Sequence, residues 1–581
     1  MPPVIAYLAQ SRAAVSETVD RHGLLRVAVL AAFHIVAIGL MLWSERSLPA
    51  AAAFVLTWGL LNFFWIMVLR RPAAAAALSL AMLVVLILLA RLKQSVLFMT
   101  IDFVDLMIID KDTFAFLLTV FPNLAWTVAG LVALAVPLLV LIFWGDPFRL
   151  RRTSAALGVA GCLAGLAGLS VAAPKDPHND FVGGEYVSKF ARSGTSAIAE
   201  YFEHGLFDAD AQGDVQAADA RVVERFRLGA GDDSCRFTAK PPHIVMVFDE
   251  SSFDISAVPG VKVPPGYHRH FASSDGKARA FVVEGIGGPS WFTEYNVLTG
   301  LSVRSYGRFG DFVTRIAAGR VERGLAYSLR HCGYKTFSLY PFHGAFLSAR
   351  GFQTTAGIEN FLDMKGLGTN TIEADSFYFD AAARVIARER NSGPLFVLAY
   401  TAINHFPWTY RYRPDLLPEW RDPGNGIEVD EYLRRQAMSA RAYADFEARL
   451  ARDFPDESFL IVRFGDHLPG FAPYLFDREL DEAARAERFA ARDPRFLTTY
   501  YAVNTVNYRL PRELSPALDR LEAPYLPLVV LEAAGLPLDA TFAEQKRIFQ
   551  RCHGLFYQCA DGAEARRFNR LLIDAGLIKG L

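Results

Sequence analysis

His243-Ile-Val-Met-Val-Phe248 is apolar for five residues after its histidine and then stops in Asp249-Glu250-Ser251. Phe459-Leu-Ile-Val-Arg-Phe464 behaves the same way and stops in Gly465-Asp466-His467. Short runs of this kind, bounded by polar or turn residues, are the pattern of strands buried on both faces. Ala280–Val283, Thr336–Tyr340 and Leu395–Tyr400 repeat it, and stretches such as Arg320–His331 and Glu431–Arg452 have a helical pattern. The alternation predicts a doubly wound α/β domain. Sites in such sheets collect beyond the carboxyl ends of the strands, where both runs turn acidic.

Before this domain the chain is of another kind. With 581 residues, 52% hydrophobic and 21% charged, the whole is too apolar for one soluble domain, and a disordered chain is excluded. The excess lies before about residue 173. Val27–Trp43, Ala51–Leu69, Ala73–Ala90, Leu124–Trp144 and Ala155–Ala173 are apolar runs of about 17 to 21 residues, long enough to cross a bilayer as helices. Arg12, Arg21 and Arg26 precede the first run, Arg70 and Arg71 separate the second from the third, and Arg149, Arg151 and Arg152 separate the fourth from the fifth. The positive-inside rule makes those segments cytoplasmic, so everything after the fifth span lies outside. A cleaved signal peptide is the competing reading of the first run, with Ala50–Ala53 supplying small residues. The runs that follow at once favour an uncleaved helix. Leu97–Phe121, interrupted by Asp102, Asp105, Asp110, Lys111 and Asp112, reads as an interfacial helix. The expected division is a transmembrane domain over 1–173, a linker with a membrane-side helix near Ser196–His204 over 174–240, and an extracytoplasmic domain over 241–581.

Sixty basic residues against sixty-one acidic ones give no electrostatic reason for nucleic-acid binding. Alone, Asp249-Glu250 fits either a metal ligand or a helix cap, and Asp466-His467 is a better ligand pair. Between them, Gly287-Gly-Pro-Ser290 is a glycine-rich turn that delivers a hydroxyl to a helix start, where backbone N–H groups favour an anion. A simple N-cap is the alternative for Ser290.

Together these pieces resemble the alkaline phosphatase/sulfatase superfamily, and within it the membrane-anchored lipoteichoic acid synthase-like phosphoglycerol transferases. Glu250, Ser290, Asp466 and His467 match that group's metal ligands and nucleophile position by position. Ser290 precedes Thr299-Gly300 by the interval that separates the sulfatase catalytic Cys from its Thr-Gly, whereas Thr293 does not. The sulfatase C-x-P-S-R pattern is broken by Phe292 and Glu294, and Glu294 agrees with the lipoteichoic acid synthase-like pattern. Asn404-His405-Phe-Pro-Trp408 resembles the group's N-H-F/Y-P segment, which implies substrate contacts from His405 and Trp408. His343 and Arg350, ahead of Gly357-Ile-Glu-Asn-Phe361, resemble its substrate-binding His and Arg.

The resemblance implies a five-helix transmembrane domain joined to an α/β sulfatase-like domain in a bacterial-type inner or plasma membrane. Its expected cofactor is Mn²⁺, with Zn²⁺ or Mg²⁺ as alternatives for the same oxygen-rich ligand set. Ser290 would be the nucleophile, and His405 or His343 the proton donor. The implied donor is phosphatidylglycerol and the implied acceptor a glycan or a glycerol phosphate chain. Phosphoethanolamine transfer is the alternative, disfavoured because the Cys and Pro that usually follow the nucleophile there are missing. Further alternatives are a sulfatase-like hydrolase or phosphodiesterase and a non-catalytic binding ectodomain. Cys235, Cys332, Cys552 and Cys559 fall in the expected oxidising compartment, where an even set favours pairing. Cys552 with Cys559 would close a small loop, leaving Cys235 with Cys332. A reporter that works only outside the cytoplasm, fused after Leu581, is expected to be active, and a silent fusion would contradict the assigned orientation.

Overall fold

A computed structural model describes residues 21–108, 111–121, 123–173, 181–209, 217–228, 235 and 240–580. Arg12 and the Gly229–Asp233 cluster lie outside the described residues. Two compact units emerge, one comprising Met1–Ser95, Met99–Leu106 and Val120–Ala199, the other Val96–Phe98, Met107–Thr119 and Glu200–Leu581.

In the first unit five helices are long and apolar enough to cross a membrane: Val27–Ser44, Leu48–Leu69, Pro72–Ser95, Leu124–Gly145 and Arg152–Ala172. They coincide with the five apolar runs. Leu48–Leu69 and Arg152–Ala172 approach closely because small residues face bulky ones. A Cβ at Gly158 would collide with the Phe63 ring, and one at Gly165 would press on Leu56. The expected single interfacial helix is instead two pieces, a 3₁₀ turn over Phe103–Ile108 and a helix over Lys111–Val120. Asp105 there pairs with Lys93 at 2.9 Å, which answers one of the acidic residues that interrupt the stretch. Ser196–His204 is the end of a longer helix, Tyr186–His204, and a further helix covers Ala217–Leu228.

The second unit is built on one eight-stranded sheet. Its strands are β1 (His243–Asp249), β2 (Arg279–Val282), β3 (Lys335–Leu339), β4 (Asn360–Leu362), β5 (Leu395–Tyr400), β6 (Phe459–Gly465), β7 (Thr498–Val506) and β8 (Arg520–Glu522), in the order β4-β3-β5-β1-β6-β7-β2-β8. All pairs are parallel except those of β7, which is antiparallel to both β6 and β2. β1 and β6 are buried at every residue, as their mostly apolar sequences require, and the charged Arg463 of β6 is buried with the rest. One face of the sheet packs under the helices Asp375–Glu389 and Ile427–Asp453, whose Phe379, Ile386, Phe446 and Leu450 meet Val245, Val397 and Ile461 in a single core. The helix expected from Arg320 begins only at Leu325, because Val321 is spent on a bridge to Ile578 near the C-terminus. Cys235 is bonded to Cys332 and Cys552 to Cys559.

Gly465, the last residue of β6, has no room for a side chain, since a Cβ there would run into the carbonyl oxygen of Ser252. Gly465→Ala is therefore expected to cost about 3 kcal/mol of stability through overpacking, read as a lowered denaturation midpoint of the purified protein.

Candidate active site

The pairing of β1 with β6 builds the site. Asp249 stands opposite Gly465 in the parallel register, so the next residues, Glu250 and Asp466, leave the sheet side by side. Glu250, Asp466 and His467 are all buried, and each offers a ligand atom within 4.8 Å of the others. Ser251 takes a left-handed backbone (φ 50°), unusual for a residue with a side chain, and this turns its N–H onto Asp466 Oδ1 at 2.7 Å. The His467 N–H donates to the same oxygen at 2.9 Å. Asp466 Oδ2 has no hydrogen-bond partner. His467 Nδ1 lies 2.9 Å from the Leu468 carbonyl, a contact that requires the proton on Nδ1 and leaves the Nε2 lone pair facing the carboxylates.

Ser290 is the first residue of the helix Ser290–Thr299 and is half-buried, whereas residues 292–299 behind it are buried. Its Oγ lies 3.2 Å from His467 Nε2 and 3.3 Å from Glu250 Oε2. The turn before it depends on glycine: Gly287 has φ +67°, and a Cβ there would strike the Phe98 ring, which belongs to the same unit. Thr293, the rival hydroxyl, is buried and donates to the Asp466 carbonyl at 2.7 Å, so it ties the helix to β6.

The electrostatics of the cluster bear on what it can hold. Burial and then the neighbouring Asp466 raise the Glu250 carboxyl, and burial pushes Asp466 up to about 7. Burial lowers His467 and His405. Two crowded carboxylates that resist ionisation, an unpartnered buried carboxylate oxygen and an imidazole lone pair aimed at both fit a divalent cation with oxygen and nitrogen ligands.

The other residues singled out in the sequence are placed as follows. His405 is buried close enough to Glu250 for each charge to shift the other, and its ring packs against Phe342 at 5.3 Å. His343 follows Phe342 directly and is partly exposed. Arg350 is half-exposed, bonded to Asp363 at 2.7 Å and to the Phe361 carbonyl at 3.0 Å. Trp408 lies in an apolar cluster with Phe471 and Tyr432, and its indole N–H donates to the Asn404 carbonyl at 3.1 Å. It props the His405 segment from beneath.

Sequence reasoning missed the groups that hold this segment. Asp375 Oδ1 accepts the N–H groups of Ala402 and Ile403 at 2.9 and 3.0 Å. Arg435, buried and anchored to Glu431 at 2.8 Å, donates to the carbonyls of Ile403, His405, Pro407 and Tyr410. Both sit in helical sequence where charged residues usually mark a solvated face, so no local signal reveals them.

Residues 292–497 match the family model described as Sulfatase. No curated protein matches the chain in sequence. Among solved structures, the chain is similar to the Streptococcus pyogenes phosphoglycerol transferase GacH in complex with sn-glycerol-1-phosphate (14% identity, TM-score 0.48, covering 64% of this chain and 94% of that one). It is similar also to the lipoteichoic acid synthase LtaP from Listeria monocytogenes (16%, 0.41, 54% and 78%). A third is the C-terminal periplasmic domain of EcEptC from Escherichia coli (16%, 0.38, 53% and 85%). The matched residues 292–497 lie wholly within the α/β unit.

Glu294, one turn after Ser290, gives a pH test of this helix. Burial pushes its carboxyl up to about 7 from an ordinary 4.5, against hydrogen bonds from Gln353 and Tyr400 that lower it. A raised acid stabilises the fold fully below its unfolded pKa and loses that contribution as pH rises through the folded value. Relative to Glu294→Gln, the wild type should therefore lose about 2 kcal/mol between pH 5 and pH 8, measured by urea denaturation in chelator. An unchanged difference would place an ionised carboxylate at 294.

Proposed function

We propose that the domain is a metal-dependent phosphotransferase that moves a phosphoglycerol head group from phosphatidylglycerol to a glycan or polyol acceptor through phospho-Ser290. The observation that carries the reading is the Ser290 hydroxyl, half-buried at a helix start and within 3.3 Å of both Glu250 and His467. Glu250, Ser290, Asp466 and His467 would hold the cation, Mn²⁺ by resemblance. A divalent ion in this set supplies Lewis acidity that lowers the pKa of a bound hydroxyl and offsets negative charge on phosphoryl oxygens.

The chain's own residues account for the rest. Ser290 Oγ forms a bond to phosphorus as the bond from phosphorus to the diacylglycerol oxygen breaks, and the positive end of the helix that Ser290 opens favours the developing charge. His405 hands a proton to the leaving oxygen and recovers one from the acceptor hydroxyl that resolves phospho-Ser290. The clamp by Arg435 and Asp375 fixes where that imidazole stands. His343, next to the Phe342 ring that packs on His405, is assigned to the substrate phosphate. Arg350 would join it only on leaving Asp363. The donor is a lipid because a site outside the cytoplasm has no ATP, and the five apolar helices keep the domain at the bilayer.

The test is release of diacylglycerol from phosphatidylglycerol vesicles, with the mass of Ser290 peptides followed in parallel. Wild-type protein should release diacylglycerol and carry phosphoglycerol on Ser290, and Ser290→Ala should lose about a thousandfold or more in rate. Asp466→Asn or His467→Ala should lose metal and activity together. Near-normal turnover by Ser290→Ala would overturn the covalent route. Release from phosphatidylethanolamine alone would keep that route and reassign the donor.

A further inference from the structure

One cavity of the α/β unit lies apart from the candidate active site. It has a volume of about 440 Å³, within the range of small-molecule sites, and none of Glu250, Ser290, His405, Asp466 or His467 lines it. Its walls are the segment Pro264–Ala272, one face of the helix Ile427–Asp453, and Arg463 and Asn504 from β6 and β7. On the helix side Ala437, Ala440 and Ala444 present nothing beyond a methyl group, which leaves a smooth floor, and Trp420 stands at the edge.

Three of the lining side chains are at least nine-tenths buried and each carries a polar atom with no hydrogen-bond partner: Gln436 Oε1, Arg463 Nε and Asn504 Oδ1. Two of the three are held firmly through their other atoms. Gln436 Nε2 donates to Ser252 Oγ at 2.8 Å, while Arg463 stacks on the Tyr443 ring at 3.9 Å and donates to the His270 carbonyl at 2.5 Å. Buried polar atoms without partners are few in native proteins, and three around one cavity call for an occupant.

The chemistry of the three selects its class. Two are acceptors and one is a donor, so the occupant must both give and receive hydrogen bonds, as a hydroxyl does. A phosphate diester has only acceptors: it would satisfy Arg463 and leave both amide oxygens unmet. The lining charges are mixed, Arg269 and Arg463 against Glu447, with Asp249 acting on Arg463 from behind. Small, polar and indole walls together suit the alternating C–H and O–H faces of a sugar ring.

We propose that this cavity is a saccharide-binding site, taking a neutral pyranose residue apart from the phosphoryl-transfer centre. The inference stands independently of the role of Ser290. It is tested with detergent-solubilised full-length protein by saturation-transfer NMR, using methyl α-glucopyranoside, methyl β-galactopyranoside and methyl β-N-acetylglucosaminide as probes. At least one should bind to the wild type and to Ser290→Ala with affinities within about twofold, and Ala440→Trp, which fills the floor, should weaken it about tenfold or more. Trp420→Ala, which removes a wall instead of filling the floor, should weaken it in the same direction, and an unchanged thermal midpoint of that variant guards against misfolding as the cause. The proposal is overturned if none of the three glycosides binds, if binding survives both variants, or if inorganic phosphate competes the glycoside away.

Discussion

Two carboxylates that water would keep apart are pressed together at the ends of β1 and β6, and the surrounding structure is arranged to hold them there. The register that sets Asp249 against Gly465 leaves Glu250 and Asp466 as neighbours. That arrangement requires a glycine at 465, because the chain leaving β1 passes over it. It requires the left-handed turn at Ser251, whose N–H satisfies one Asp466 oxygen while the other is left bare. It also explains the proton on His467 Nδ1, since only that tautomer turns a lone pair toward the acids. Crowding two buried carboxylates is the cost of this geometry, and a cation held between them would offset it.

The end of β1 serves two directions. Glu250 faces the hydroxyl of Ser290, whereas Asp249 accepts the Tyr500 hydroxyl and lies 3.6 Å from His270 Nε2. Burial alone would raise Asp249, but His270, Arg463 and Tyr500 hold its carboxyl below the usual range. Alternation along a strand puts adjacent side chains on opposite faces, and here one acid joins a candidate metal site and the other a structural network behind it.

Much of this was legible in the sequence where the sequence is repetitive or apolar. The five spans, β1, β5 and β6 are mostly apolar runs, and their positions agree with expectation to within a few residues at most ends. β7 was not legible: Thr498-Thr-Tyr-Tyr-Ala-Val-Asn-Thr-Val506 mixes polar residues that are buried against β6 and β2 rather than alternating to solvent. β4 and β8 are three residues each, too short for any pattern. At the site, Glu250, Ser290, Asp466 and His467 could be found because they end strands or open a helix. Arg435 and Asp375 could not, because their importance lies in backbone carbonyls and N–H groups that no side-chain pattern reports. The bond from Arg350 to Asp363 was equally invisible, since it depends on two segments meeting in space.

The clamp on the His405 segment shapes how this protein can vary over generations. One guanidinium satisfies four carbonyls that face inward, and its planar fork of five donors cannot be replaced by the three mobile donors of an ammonium group. What Arg435 recognises is main chain, so side chains along residues 403–410 other than His405 and Trp408 are free to drift as long as the path of the chain is kept. Position 435 has no such latitude. A residue with no partner visible in sequence is thus the fixed point, and the loop that looks like a motif has freedom to change around it.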